Sequence, residues 1–300
     1  MNKERRQRIS DLFTDRIWDI DTDQCSKFYA ELVRLIKLTR ITISSFAENR
    51  MGFQCVALSY FMVMAMIPFI ALMIALTAGI GMENNLMEAL YRLFPGDSNI
   101  AEIIFDKASG LVEGAKKGGA TLLSSLTFVW AIIWLMFQVE RVFNNVWGIR
   151  KIPRKLYKRM GFYLLVMILS PFIVIVFGSG ITYYSNFTNL FGLDLSDLKI
   201  IPEILGYLVF YIITALTLSA MYTFIPATKV RYKYAFKSAL VAAAVFVVFQ
   251  YLYLETQMFV GRLSFAYGVI VAVPLLLLWL NFSWQIIIYG AQLTYGYHKI

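Results

Sequence analysis

The chain has little of what most enzymes use. It contains one histidine, His298, and two cysteines, Cys25 and Cys55, in 300 residues. A single histidine leaves no His-based metal set and no nucleophile–base pair, and two widely spaced cysteines give neither a C-x-x-C motif nor a disulfide framework. Charge is scarce too, at 16% of residues, against about 25% in an average soluble domain. No catalytic residue, metal ligand or cofactor motif is expected, and the chain is read as a non-enzyme. What fills the sequence instead is hydrocarbon: 59% hydrophobic residues and a mean hydropathy of +0.64. Those values place it in a membrane. The first fifty residues are charged and the first long apolar run begins near Val56, so no cleaved signal is expected.

Six apolar segments are each long enough to cross a hydrocarbon core of about 30 Å as a helix of roughly 20 residues. They lie near 56–80, 120–139, 161–184, 203–224, 235–254 and 268–290. Lipid leaves a lone strand no partner for its backbone amides, and nothing here alternates as a barrel strand does. The expected fold is therefore all-α, a polytopic membrane protein with six transmembrane helices, three of them kinked by proline, plus interfacial amphipathic helices. Residues 1–50 form a basic N-terminal region, 51–297 the six-helix transmembrane domain, and 81–119 a helical loop within it.

Orientation follows from the basic residues. Counted over alternate connections, 22 of the 28 Lys and Arg fall on the side that holds both termini. The positive-inside rule then puts both termini in the cytosol. It also bears on Glu140 and Arg141, which follow the second apolar run and precede Arg150, Lys151, Arg154, Lys155, Lys158 and Arg159. The expectation is that Glu140 and Arg141 mark where the chain leaves the bilayer, because a charge costs little at the interface.

Within the spans, Pro68, Pro171 and Pro274 each remove a backbone donor and free a carbonyl one turn back. Broken helices of this kind build substrate sites in transporters. Asn281, Gln285, Tyr289 and Gln292 recur at spacings of four, four and three, so they share one face of the sixth helix. Together with the three prolines they are the expected substrate pathway; bonding between helices is the alternative use for that face. In the long loop, Leu86, Leu90, Leu93 and Phe94, then Ile100, Ile104, Ala108 and Leu111, keep helical spacing on either side of Pro95-Gly96-Asp97. That pattern reads as two amphipathic helices lying on the membrane surface or capping the bundle. Residues 28–48 read as a basic amphipathic helix, expected with the 150–159 cluster to meet anionic lipid headgroups.

Four segments carry a family resemblance: ALSYFMVMAMIPFI at 57–70, ERVFNNVWGIRKIPRKLY at 140–157, FIPATKVRYKYAFKSALVAA at 224–243, and YGVIVAVPLLLLWLNFSWQIIIYGAQL at 267–293. The chain resembles the YihY/virulence factor BrkB family of bacterial inner-membrane proteins, formerly mislabelled ribonuclease BN. Positions matching the family's motifs are Tyr60, Pro68, Asn144, Trp147, Pro226, Lys229, Tyr267, Gly268, Pro274, Trp279, Gly290 and Ala291. Family members often carry an acid after the Gly-Ala pair, where this chain has Gln292, so the resemblance implies no proton-coupled role there.

Three functions compete. The preferred one is a transporter or translocator of a lipid-like or amphipathic substrate, not driven by protons because the spans hold almost no ionisable groups. The second is a non-transporting scaffold, acting as a homo-oligomer or within a protein complex. The third, a ribonuclease, fits the basic loops but lacks any His and acid cluster to hold a metal, and no specific nucleic-acid partner is expected.

Overall fold

A computed structural model describes residues 27–78, 98–117, 120–149, 200–263 and 268–299, with isolated positions at 84, 86, 87, 157, 159–161, 163 and 165. All its regular structure among the described residues is helical. Seven helices have described bounds: α1 (Lys27–Glu48), α2 (Met51–Ala78), α3 (Ser98–Lys117), α4 (Ala120–Val146), α5 (Ile200–Phe224), α6 (Tyr232–Leu263) and α7 (Gly268–Lys299). The expected third span, 161–184, falls mostly outside the described residues, as do Pro171, Tyr267 and the Pro95-Gly96-Asp97 turn.

Four of these helices are long and apolar enough to cross a membrane: α2 over Met51–Ala75, α5 over Tyr207–Phe224, α6 over Tyr232–Thr256 and α7 over Pro274–Lys299. A stretch of 25 residues, as in α2, rises about 37 Å at ~1.5 Å per residue, enough for the hydrocarbon layer with some tilt. Several hydroxyls of the bundle are satisfied inside their own helix. Thr42, Ser59, Thr77, Thr223, Thr256 and Thr294 each donate to the carbonyl four residues back at 2.8–3.0 Å. In an apolar surrounding this is the nearest acceptor. Pro68 and Pro274 sit inside continuous helices, so neither ends its segment.

Helix α7 organises the bundle. It packs against α1, α2, α4, α5 and α6, while α5 lies along α6 and α2 along α4. Small residues permit this closeness. Ala235, Ala239, Ala242 and Ala243 of α6 meet Ala215, Leu218 and Tyr222 of α5, with Trp284, Ile288 and Ala291 of α7, in one core cluster. A methyl group at Gly290 would overlap the Tyr222 hydroxyl and come within 2.7 Å of its ring and 2.8 Å of the Ala242 methyl. Gly296 does the same for α1, where an added methyl would meet the Leu38 side chain at 2.7 Å.

A two-residue turn, Asn49-Arg50, joins α1 to α2. Arg50 has φ of 49°, a left-handed conformation that ordinary side chains resist. The Gln54 side-chain amide donates to the Asn49 carbonyl at 3.0 Å and helps hold the turn. Phe46 then stacks flat on Tyr289 of α7, centroids 3.9 Å apart. Helix α3 uses Ile104 and Ala108 to cover Ile70, Ala71, Met73 and Ile74 of α2, with Leu86 in the same cluster, and turns Glu102, Asp106, Lys107 and Glu113 outward. The apolar face of α3 thus packs on the bundle, against α2 and α4.

The Phe46 stack predicts that Phe46→Ala loosens α1 alone. Amide hydrogen exchange in detergent should rise across 38–48 and stay unchanged in α5 to α7; unchanged exchange in α1 contradicts the docking of this helix.

Candidate functional site

The polar chemistry gathers where α4 ends and the α5–α6 connection crosses it. Helix α4 stops because Gly148 takes φ of 68°, the left-handed conformation that glycine enters without a Cβ penalty. The Trp147 and Ile149 amides both donate to the Asn144 carbonyl, at 3.1 and 3.0 Å. The buried Asn144 side chain works in two directions. Its amide donates to the Glu140 carbonyl at 2.8 Å, and its oxygen accepts from the Ala227 amide at 2.7 Å. Asn144 thus pins the connection that carries Pro226, itself buried, while Lys229 stays exposed. Trp147 meets Tyr295 of α7 edge to face at 6.3 Å.

Glu140 is buried within the protein. It is 3% exposed and lies within α4, which continues seven residues past the expected end of that span. The reason is its partners: Arg159 donates to its Oε2 through Nε and Nη2, both at 2.7 Å, and Tyr163 donates to the same oxygen. Phe137 closes the cluster, with the Arg159 guanidinium 4.7 Å above its ring and Tyr163 edge-on at 5.3 Å. A carboxylate that looks like a boundary charge is kept inside by a cation nineteen residues further on. Arg141, its neighbour, is exposed. The pair is structural and electrostatic; Glu140 Oε1 has no hydrogen-bond partner among the described residues.

The expected polar face of α7 divides. Gln285 donates to Asn281 at 2.6 Å, Tyr289 stacks on Phe46, and Gln292 is 0% exposed with both its amide nitrogen and oxygen unpartnered among the described residues. Thr214, Tyr222, Ser238 and Ser283 also bury hydroxyls without partners there. Pro68 is buried in α2 and Pro274 exposed on α7, and Pro171 lies outside the described residues. Trp279 donates to Gln250 at 2.8 Å and stacks on Tyr253, tying α7 to α6. Tyr60 faces outward, and Gly268 begins α7.

A cleft of about 240 Å³ lies between α6 and α7, lined by Val241, Ala242 and Val245, by Ile286, Tyr289, Gly290 and Leu293, and by Thr42 of α1. Sequence reasoning missed it. Its only signal was the pairing of small residues, Ala242 and Gly290, on helices that the sequence does not show to be neighbours.

Residues 42–299 match the virulence factor BrkB family. A UPF0761 membrane protein of Mannheimia succiniciproducens is 27% identical over 266 residues, covering 88% of this chain and 90% of that protein. One from Chlorobium chlorochromatii is 29% identical over 185 residues, covering 60% of this chain and 41% of its own length. A third, from Aromatoleum aromaticum, is 23% identical over 264 residues, covering 85% of this chain and 62% of its own length. The chain therefore spans about half the length of some of these relatives and nearly all of another. No solved structure matches.

Two substitutions separate the roles of these groups. Arg159→Ala strands Glu140 in the interior and should destabilise the protein by about 3 kcal/mol, whereas Glu140→Gln with Arg159→Met should cost less than the two single changes added together. Equal, additive losses in thermal unfolding contradict the pair. Gln292→Leu removes an unpartnered buried amide and should raise stability by about 1 kcal/mol; a clear loss of stability would mean that Gln292 has partners in the folded state.

Proposed function

The chain belongs to the virulence factor BrkB family, and on that footing we propose that it moves a lipid-like or amphipathic molecule across or within the membrane without proton coupling. The observation that carries this reading is the cleft between α6 and α7. Its walls are apolar, and two of them, Val241 and Val245, are half exposed on the side of the bundle. A membrane molecule therefore reaches the cleft laterally, without passing through water. The absence of proton coupling rests on composition: from residue 204 to the end of the chain the only acid is Glu255. In this reading six spans cross a bacterial inner membrane, the segments 120–139 and 161–184 completing the four apolar helices above. Both termini face the cytosol, and the basic end of the bundle meets anionic headgroups. The protein is not an enzyme, and its partners are membrane lipids, further copies of itself or a protein complex.

One observation favours a different reading. The α5–α6–α7 interface is filled with alanines and aromatic rings, which suits a rigid scaffold as well as a carrier. Leaflet exchange separates the two. Purified protein reconstituted into liposomes with fluorescent phospholipid should speed the loss of outer-leaflet asymmetry at least several-fold over protein-free vesicles, with no dependence on an imposed pH gradient. A rate equal to that of protein-free vesicles supports the scaffold.

A further inference from the structure

We infer that the α6–α7 cleft is a binding site for one anionic phospholipid, its acyl chain between Val241, Val245 and Ile286 and its phosphate at Lys237. This rests on the reading of the chain as a lipid handler and names the class of lipid and its seat. Lys237, Val241 and Val245 recur every fourth residue on α6 and so form one ridge. Lys237 lies one turn, about 6 Å, beyond the cleft wall. It is exposed, as a headgroup contact requires. The cleft is closed beyond that point. Tyr234 of α6 stacks on Tyr297 of α7 at 6.1 Å and meets His298 edge-on at 5.1 Å, and the Arg231 amide donates to His298 Nε2 at 3.1 Å.

On α6 and α7, charge at this end has one sign. Arg231, Lys233, Lys237 and Lys299 are all exposed there. The nearest acid on either helix is Glu255, eighteen residues from Lys237 along α6, or about 27 Å. An interfacial cluster of cations attracts an anionic headgroup, and an apolar channel beginning one turn deeper takes one of the chains that the headgroup carries. A volume of about 240 Å³ is below the ~300 Å³ at which drug-sized pockets begin. It suits a single linear chain, not a helix from a partner. Gly290 and Ala242 also line the cleft.

The test measures binding alone. Full-length protein, delipidated in detergent, is offered phosphatidylglycerol and phosphatidylcholine with identical acyl chains, and retained lipid is counted by native mass spectrometry. The wild type should keep one phosphatidylglycerol in preference to phosphatidylcholine. Lys237→Gln should lower phosphatidylglycerol retention about fivefold, the equivalent of ~1 kcal/mol, and leave phosphatidylcholine unchanged. Val241→Trp should fill the cleft and lower retention of both lipids about tenfold. Leu216→Trp, the same ring on an exposed position of α5 outside the cleft, should change neither. Equal retention by the two tryptophan variants, or an unchanged lipid preference in Lys237→Gln, overturns the site. Leaflet exchange with either of those results leaves the transport reading standing without this seat; selective retention without exchange supports the seat and removes the transport reading.

Discussion

The close approach of α7 to α5 and α6 at Gly290 is the contact on which the rest of the bundle depends. Lipid supplies no hydrophobic force to drive helices together, so association depends on van der Waals fit and on hydrogen bonds kept within the protein. At Gly290 the fit leaves no room for a methyl group between the backbone of α7, the Tyr222 ring and the Ala242 methyl. From that point the other features follow along the helix. Ala291 and Gln292 are buried one and two residues on, Tyr289 on the preceding position meets Phe46 of α1, and Gly290 itself lines the lateral cleft.

The second organising contact is made by polar groups. Asn144 bonds to the Ala227 amide across the bundle, and Glu140 holds Arg159 and Tyr163. Each such bond is made where an unmade one would be expensive, since an unpaired buried donor or acceptor keeps its full desolvation cost. The Asn144 bond fixes the α4 end against the α5–α6 connection that leads into α6 and Lys237, while Glu140 holds the segment that follows α4.

Much of this architecture was legible in the sequence. Long apolar runs without acids read directly as helices, and the ends expected for α4 and α5 at Ala120 and Phe224 coincide with those observed. The amphipathic pattern of α3 likewise pointed Ile104 and Ala108 inward. Less was legible where the answer lay in a partner remote in the chain. Local hydropathy contains no sign that Arg159 buries Glu140: polar residues in a helical end are read as solvated until a neighbour is seen to pair with them. Spacing placed Asn281, Gln285, Tyr289 and Gln292 on one face, yet could not distinguish a bonded pair, a stacked ring and an unpartnered amide. The Gly-Ala pair stood out as a motif, and only the structure shows the ring that requires it.

The central claim is therefore that Gly290 and Tyr222 share one space, and a double-mutant cycle measures this most directly. Thermal unfolding of the purified protein would be compared for Gly290→Ala, Tyr222→Leu and the combination. Overpacking predicts that Gly290→Ala costs about 1–3 kcal/mol against Tyr222 and much less against Leu, a coupling well above ~0.5 kcal/mol. Costs that simply add would contradict the account, because α7 would then not approach α5 at this point.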